Sequence, residues 1–258
     1  LGFDLNFAED LKYVIQQFKA EGITDLILDL RFNNGGSVEL ARYLAASIAG
    51  TSHRSDVFMR MQRNSGADEY IRFGDGDDLN LKSVRIICSE ETASASELII
   101  SGLRGIDFPV KLFGSRTEGK NVGMEVQEYK YGNKYYEFAP ITFRSFNAKD
   151  WGDYADGIDP DVMLNNQNSS YEDDIDNVFP YAFGDWDNFD FNYPLYWALC
   201  DVQGVDPTTG EPVKRSGRAG LTRSSKDEII RVPSVPLKRP AGTFGSLIYN
   251  KPEVENLY

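Results

Sequence analysis

A serine in the segment 92–97 has a position from which it could act as a nucleophile. The segment follows the aliphatic run 84–88 and precedes an apolar stretch, so it predicts a strand-to-helix turn. Free backbone N–H groups and the helix dipole favour negative charge at such a turn. Ser94 could therefore attack a carbonyl carbon while the N–H of Ala95 holds the oxyanion. The alternative is structural, because Ser94 and Glu97 also have the spacing of a helix capping box.

Lys120 is a candidate for the base that a serine hydroxyl needs. The chain has one histidine, His53, and its polar surroundings at 51–56 predict a solvated loop residue. Lys120 follows an apolar strand and a glycine turn, so it can point inward, where burial favours the uncharged amine. The alternative is an ordinary surface lysine.

A pair of glycines, Gly35 and Gly36, follows the buried aliphatic run 24–30 and two asparagines. Paired glycines let a backbone approach a ligand closely. They predict a second oxyanion donor or a backbone that pairs with a substrate strand, and the alternative is a tight strand-to-helix turn. The phosphate-binding pattern Gly-x-x-x-x-Gly-Lys-Ser/Thr is not present in the sequence.

The elements around these residues alternate between strands and helices. An amphipathic helix, capped by Asn6 and stopped by Gly22, comes first. Strands are then predicted over 24–30, 84–88 and 110–113, and helices over 38–48, 94–103 and 194–201. This alternation is typical of an α/β core with a largely parallel sheet. After Lys120, a two-residue alternation predicts strands, including a β-hairpin that turns at 131–133.

The order of three motifs resembles the C-terminal processing (tail-specific) serine peptidases. An aliphatic strand ending in Asp-Leu-Arg (29–31) leads to the Gly-Gly turn, and Ala-Ser-Ala-Ser-Glu (93–97) and Thr-Glu-Gly-Lys (117–120) follow. Lys120 lies 26 residues after Ser94, close to the spacing in that family. The segment 157–162 is similar to a later part of the family's core.

The resemblance implies a role for each matching residue. Ser94 would be the nucleophile and Lys120 the general base of a Ser–Lys dyad. The oxyanion hole would be formed by the backbone N–H groups of Ala95 and of Gly35 or Gly36.

Two supporting residues and two departures complete the resemblance. Glu97 and Thr117 match positions that support the site. The family often has a glutamine four residues after the lysine, where this chain has Met124. Processing enzymes also carry a peptide-binding PDZ domain before the core, and none is recognisable here. Both departures concern processing efficiency and substrate choice more than the reaction class.

The resemblance further implies a ClpP/crotonase-like spiral α/β core with a mostly parallel sheet and a β-rich C-terminal part. We expect residues 1–165 to form the peptidase core and 166–258 a loop-rich extension that packs on it. The implied function is a serine endopeptidase that forms an acyl-enzyme, binds its polypeptide substrate as an extended strand and works in the bacterial cell envelope. The alternative on the same fold is a non-catalytic ligand- or peptide-binding protein.

A third interpretation is a surface- or carbohydrate-binding protein that uses aromatic, Asp- and Asn-rich loops. Core packing is the expected role for most of these aromatic side chains, among them Tyr135, Tyr136, Trp151 and Tyr154.

The composition of the chain limits the kinds of partner and ligand that it is expected to bind. A net charge of −13 opposes binding to nucleic acid or anionic membranes. No run of 18 apolar residues exists, so no membrane-spanning segment is predicted. Cys88 is expected to be a buried thiol, although one disulfide with Cys200 remains open. The cluster Asp185, Asp187 and Asp190 lacks the glycine and terminal glutamate of a calcium loop, so neither metal nor cofactor is predicted.

Overall fold

A computed structural model describes residues 2–164, 193–209 and 211–213 of the chain. These residues fall into two compact units, with residues 2–164 in the first and the others in the second. The first unit contains, in order, α1 (Ala8–Glu21), β1 (Ile27–Asp29), α2 (Val38–Ala49), β2 (Val57–Arg63), β3 (Glu69–Arg72), β4 (Val84–Cys88), α3 (Ala95–Gly105), β5 (Val110–Gly114), β6 (Val122–Met124), β7 (Gln127–Tyr131), β8 (Lys134–Phe138), β9 (Ile141–Phe146) and β10 (Val162–Met163). The predicted boundary after residue 165 adjoins the undescribed range and stays a prediction.

The parallel sheet predicted from the alternation of strands and helices is confirmed. Its strand order is β1-β4-β5-β10, and all neighbouring pairs are parallel. In the centre of the sheet Leu28 lies opposite Ile86, which in turn lies opposite Leu112. Ile86 and Leu112 are fully buried, as expected for a parallel sheet covered on both faces. Because the strands run the same way, the segments that follow them emerge at one edge of the sheet.

Two buried helices connect this sheet to the rest of the unit. α2 is capped by Ser37, whose hydroxyl accepts a hydrogen bond from the Leu40 N–H at 3.4 Å. α3 is buried along almost its whole length, and it contacts α2, β5 and β2. Its first residue, Ala95, is therefore held by tertiary packing as well as by the helix itself.

The start of the first helix differs from the prediction. Asn6 does not cap it: the Asp4 side chain instead accepts the Asn6 N–H at 2.9 Å and begins a short 3₁₀ turn, Leu5–Phe7. α1 follows that turn, and Gly22 ends it as expected.

A second, antiparallel sheet has the order β3-β2-β9-β6. β2 and β3 were not predicted, whereas the β7–β8 hairpin was and is confirmed. Core packing is the right prediction for Tyr154, which is buried, and the wrong one for Tyr135 and Tyr136 on the hairpin, which are exposed. Every residue of β7 and β8 is exposed, so the hairpin adds little to the core.

The described part of the second unit contains the predicted short helix, α4 (Tyr193–Gln203). Cys200 on this helix and Cys88 on β4 are both buried and both free thiols in this structure. The aspartate cluster 185–190 and the strand-like patches at 229–230 and 247–249 lie outside the described residues. Within the described ranges, no helix has the length and apolar character that crossing a bilayer requires. The α/β class is confirmed, and the spiral arrangement of its core stays a prediction.

Candidate active site

The segments that follow β1, β4 and β5 meet at one edge of the parallel sheet, and they carry the candidate catalytic residues. The Ala93 N–H donates to the Asn33 carbonyl at 3.2 Å, which joins the first segment to the second. The Glu118 N–H donates to the Thr92 carbonyl at 3.1 Å, which joins the second to the third. The three sequence motifs, far apart in the chain, are therefore hydrogen-bonded neighbours.

Ser94 has an unusual backbone and an unsatisfied side chain. Its φ of 60° and ψ of −115° lie outside the regions that non-glycine residues normally adopt. Such a conformation costs about 1–3 kcal/mol and persists only when its surroundings enforce it. The hydroxyl oxygen is completely buried and has no hydrogen-bond partner among the residues that the structure describes, which is uncommon for a buried polar atom. A strained residue whose buried hydroxyl makes no hydrogen bond indicates a functional role for Ser94.

The capping-box alternative accounts for only part of this geometry. Ser94 and Glu97 have the arrangement of a capping box, and the Ser94 N–H donates to Glu97 Oε2 at 2.8 Å. The approach of the Glu97 N–H to the Ser94 hydroxyl falls short of hydrogen-bond geometry, since Oγ has no partner. Glu97 therefore holds the backbone of the turn and leaves the hydroxyl for another use.

The Glu97 carboxylate joins the serine turn to the lysine loop. Oε1 accepts the Thr117 hydroxyl at 2.6 Å and the Gly119 N–H at 2.8 Å. Oε2 accepts the Ser94 N–H at 2.8 Å and the Lys120 N–H at 2.9 Å. Because the last two nitrogens share one acceptor, they lie less than ~6 Å from each other. The backbones of the two residues predicted to form the dyad are thus brought together by a single side chain.

The protonation of Glu97 is set by opposing effects. The side chain is completely buried, and this desolvation is the main reason why the pKa of its carboxyl group is raised. The four hydrogen bonds it accepts act in the opposite direction. The donors are arranged for an ionised carboxylate, and the burial opposes that ionisation.

Thr117 and Asn121 fix the loop on either side of the lysine. The Thr117 N–H donates to the Ile158 carbonyl at 3.1 Å, and the Thr117 hydroxyl accepts the Ile158 N–H at 2.7 Å. The Asn121 side-chain amide donates to the Gly152 carbonyl at 2.6 Å. Both Thr117 and Asn121 are buried, so the loop cannot shift without breaking these bonds.

Lys120 itself is half-buried, and it lies two residues before the start of β6. The Ser94 hydroxyl and the Lys120 amine are not hydrogen-bonded in this structure, because Oγ has no partner. Contacts between catalytic groups are often long before substrate binds. Met124, at the position where the family often has glutamine, ends β6 opposite Ile141 and is half-buried.

The Gly-Gly turn lies directly against the serine turn. A Cβ atom on Gly35 would come within 2.8 Å of both the Ser94 Cβ and the Ala95 nitrogen, and the Gly35 φ of +100° also disfavours a side chain. On the other side of the turn, Phe3 pairs with Gly36: the Phe3 N–H donates to the Gly35 carbonyl at 2.6 Å. The predicted oxyanion residues are thus adjacent to the predicted nucleophile.

Backbone donors remain available at this point of contact. Neither the Ala95 N–H nor the Gly36 N–H donates to any residue that the structure describes. The Gly35 N–H, in contrast, donates to the Asn33 side-chain oxygen at 3.0 Å. The sequence interpretation missed Asn33, although an asparagine two residues before a glycine is a known signal for a turn closed by its side chain.

Comparison with known proteins agrees with this geometry. Residues 2–164 match the family model described as peptidase family S41. The chain belongs to peptidase family S41. The C-terminal processing peptidases named from the sequence motifs are therefore confirmed as its relatives.

Two curated relatives come from staphylococci. A protein of Staphylococcus haemolyticus named as a CtpA-like serine protease is 26% identical over 63% of this chain. One of Staphylococcus aureus with the same name is 25% identical over 72% of this chain. The chain spans 32% of the length of the first relative and 36% of the second, so about a third of each.

Solved structures share the fold. A Bacteroides fragilis protein assigned as an S41 protease superposes with a TM-score of 0.63 and 23% identity, over 78% of this chain and 50% of its own. The photosystem II D1 C-terminal processing protease gives a TM-score of 0.50 and 22% identity, over 64% and 40% respectively. Both likenesses concern the mixed α/β fold with its parallel sheet.

Proposed function

We propose that this chain is the catalytic core of a serine endopeptidase in which Ser94 is the nucleophile and Lys120 the general base. The observation that carries the proposal is the buried Ser94 hydroxyl, which has no partner in the described part of the chain and belongs to a strained residue at the start of α3. The bridge from Glu97 to the Lys120 N–H supports it, because one carboxylate oxygen holds the backbones of Ser94 and Lys120 close together. Membership of peptidase family S41 supports the reaction class.

In the proposed reaction the uncharged Lys120 amine takes the proton of the Ser94 hydroxyl as Oγ bonds to the carbonyl carbon. The oxyanion accepts hydrogen bonds from free backbone N–H groups, of which Ala95 supplies one. Lys120 then gives its proton to the leaving amine as the C–N bond breaks. A water molecule then attacks the ester carbon while Lys120 takes its proton, the C–Oγ bond breaks, and Lys120 returns the proton to Ser94 Oγ.

The proposed substrate is a polypeptide that binds as an extended strand beside the Gly-Gly turn. The names of relatives, serine protease and C-terminal processing protease, agree with a polypeptide substrate. The bacterial cell envelope implied by the family resemblance remains the proposed location, and the curated relatives cited are bacterial. A loop-rich extension over residues 166–258 that packs on the core is likewise proposed.

The test is cleavage of an unfolded protein by the chain and its variants. Ser94→Ala and Lys120→Ala should each abolish cleavage, because one removes the nucleophile and the other the base. Matched controls are Ser101→Ala, a buried serine of the same helix, and Lys111→Ala, a half-buried lysine on the preceding strand. Cleavage by either dyad variant at the wild-type rate would overturn the proposal.

A second candidate, a peptide-binding protein without catalysis, is favoured by one observation: the Ser94 hydroxyl is fully buried and not bonded to Lys120. That candidate predicts that the wild type retains an extended peptide intact and that Lys120→Ala binds it equally well. Turnover that disappears in Ser94→Ala would exclude it.

A further inference from the structure

Asn33 holds the Gly-Gly turn and the serine turn in one arrangement. Its carbonyl oxygen accepts the Ala93 N–H at 3.2 Å and the Ser96 hydroxyl at 2.8 Å. Its side-chain oxygen accepts the Gly35 N–H at 3.0 Å. One residue therefore contacts both segments that would supply oxyanion donors.

The side-chain bond has a chemical consequence. The Gly35 N–H is already committed to Asn33, so it is not free to stabilise an oxyanion. The next N–H along the turn, that of Gly36, has no partner among the described residues. Phe3 lies on the opposite side of Gly36, bonded through the Gly35 carbonyl and the Ser37 N–H. In an extended pairing the groups of successive residues alternate in direction, so the Gly36 N–H points away from Phe3.

We infer that Asn33 is a positioning residue which selects the Gly36 N–H, and not the Gly35 N–H, as the turn's oxyanion donor. The inference rests on the proposed peptidase function and adds to it the identity of the second donor. Asn33 acts through the backbone of the turn, since its oxygen is bonded to Gly35. The donors in an oxyanion hole must be aimed where charge develops, and losing one typically costs 10²–10³-fold in turnover.

The kinetic test replaces Asn33 with two side chains of similar size. Asn33→Leu removes the acceptor, and we expect kcat to fall about 10- to 100-fold with KM changed less than about threefold, because only the transition state uses the donor. Asn33→Asp keeps an oxygen for the Gly35 N–H and should keep kcat at least about tenfold above the leucine variant. Asn34→Leu, at the exposed neighbouring asparagine, is the matched control and should leave both constants unchanged.

Several kinetic results would overturn the inference. These are a leucine variant with wild-type kcat, an aspartate variant as slow as the leucine variant, or a loss expressed in KM alone. Wild-type turnover no faster than that of Ser94→Ala would overturn the proposed function and this inference together. Turnover that depends on Ser94 but not on Asn33 would overturn this inference alone.

A second measurement uses the wild-type chain and so does not depend on how the variants fold. The chain is labelled with ¹⁵N-glycine and treated with a peptidyl boronic acid, which forms a tetrahedral adduct with a nucleophilic serine. The Gly36 amide proton should move downfield on adduct formation, while the Gly35 amide proton stays in place. A downfield shift at Gly35 instead of Gly36 would show that the donor assignment is wrong.

Discussion

Two turns of this molecule each contain a residue with a φ near 60°, and the chain uses a different type of residue in each. The β7–β8 hairpin turns at Gly132, with a φ of 61° and no atom within 4 Å of the place where a Cβ would lie. The turn before α3 has a φ of 60° at Ser94, a residue that resists this conformation, and it is completely buried. The hairpin turn has a glycine, which adopts a positive φ without strain. The turn before α3 has a serine, which is strained there but provides a hydroxyl.

The surroundings of the two turns explain why the strain can persist. The hairpin is exposed on every residue of both strands, so little beyond its own ladder supports it. The Ser94 turn is held by the Glu97 carboxylate and by bonds from its neighbours to Asn33 and Glu118. A buried network can enforce a conformation that an exposed hairpin could not.

The largest expected effect follows from placing glycine at position 94, as the hairpin has at position 132. Ser94→Gly should abolish cleavage, by at least ~10³-fold, because the nucleophile is gone. Its free energy of unfolding should be kept within ~1 kcal/mol of the wild-type value or raised, because relief of strain offsets the added chain entropy of glycine. Peptide cleavage and urea unfolding measure the two effects.

The reciprocal variant is the control for that exchange. Gly132→Ser should lower the free energy of unfolding by about 1 kcal/mol, since it puts a side chain at positive φ, and should leave cleavage unchanged. A Ser94→Gly chain that still cleaves peptides, or that is less stable than Gly132→Ser, would break the comparison.

The second prediction concerns the carboxylates in the two regions. Glu97→Ala leaves four donors without their acceptor, two of them buried and two part-buried, and should cost at least ~3 kcal/mol of unfolding free energy. Glu137→Ala, on the exposed hairpin opposite Glu128, should change stability by less than ~0.5 kcal/mol and in the stabilising direction, since like charges face each other there. Denaturant unfolding of both variants decides the matter, and equal losses would contradict the assigned role of Glu97.

The third prediction is a pH dependence that only the buried carboxyl group should have. Burial raises the pKa of Glu97 in the folded state above its unfolded value, which is about 4.3. The folded state then keeps the Glu97 proton to a higher pH than the unfolded state does. The stability that this protonation contributes is full below the unfolded pKa and is lost as the pH rises through the folded pKa. Glu97→Gln cannot titrate, so the stability of wild type minus that of the variant should fall as the pH rises across this interval.

Urea unfolding of wild type and Glu97→Gln at a series of pH values tests this sign. A difference that increases with pH would mean that the four hydrogen bonds outweigh desolvation. The same series with Glu137→Gln should show no comparable trend, because that side chain is exposed.

The smallest effect is expected for the aromatic residues of the hairpin. Tyr131 is 71% exposed and Tyr129 is 61% exposed. Replacing either with serine should change the free energy of unfolding by less than ~0.5 kcal/mol, since little packing is lost. A thermal or urea transition shifted far beyond this would show that the hairpin carries more of the stability than its exposure indicates.

The strands, turns and helices that carry the candidate site could largely be predicted, because the sequence signals for them are local. Short aliphatic runs followed by turns at 35–36 and 92–94 indicated strand–turn–helix units, and the structure has them. The bonds that assemble the site could not be predicted in the same way. Glu97 meets Thr117 across 20 residues and Lys120 across 23, and its spacing to Ser94 alone fitted a capping box equally well.

The missed elements have a physical explanation too. β2 carries Arg60 and Arg63 beside the buried residues Phe58, Met59 and Met61, and the two charges hide the apolar character of the strand. Both arginines are paired with acids from other segments, Arg60 with Asp68 and Arg63 with Glu125, which no local pattern reveals. At the start of the chain, Asp4 caps a short 3₁₀ turn that precedes α1, and Asn6 lies inside that turn.

The proposed pairing of Ser94 with Lys120 is tested most directly by covalent labelling of the wild-type chain. A peptidyl phosphonate is added, and the modified residue is located by mass spectrometry. We predict a single adduct on Ser94 in the wild-type chain and none in Lys120→Ala. An adduct on another residue, or an equal rate in Lys120→Ala, would contradict the proposed dyad.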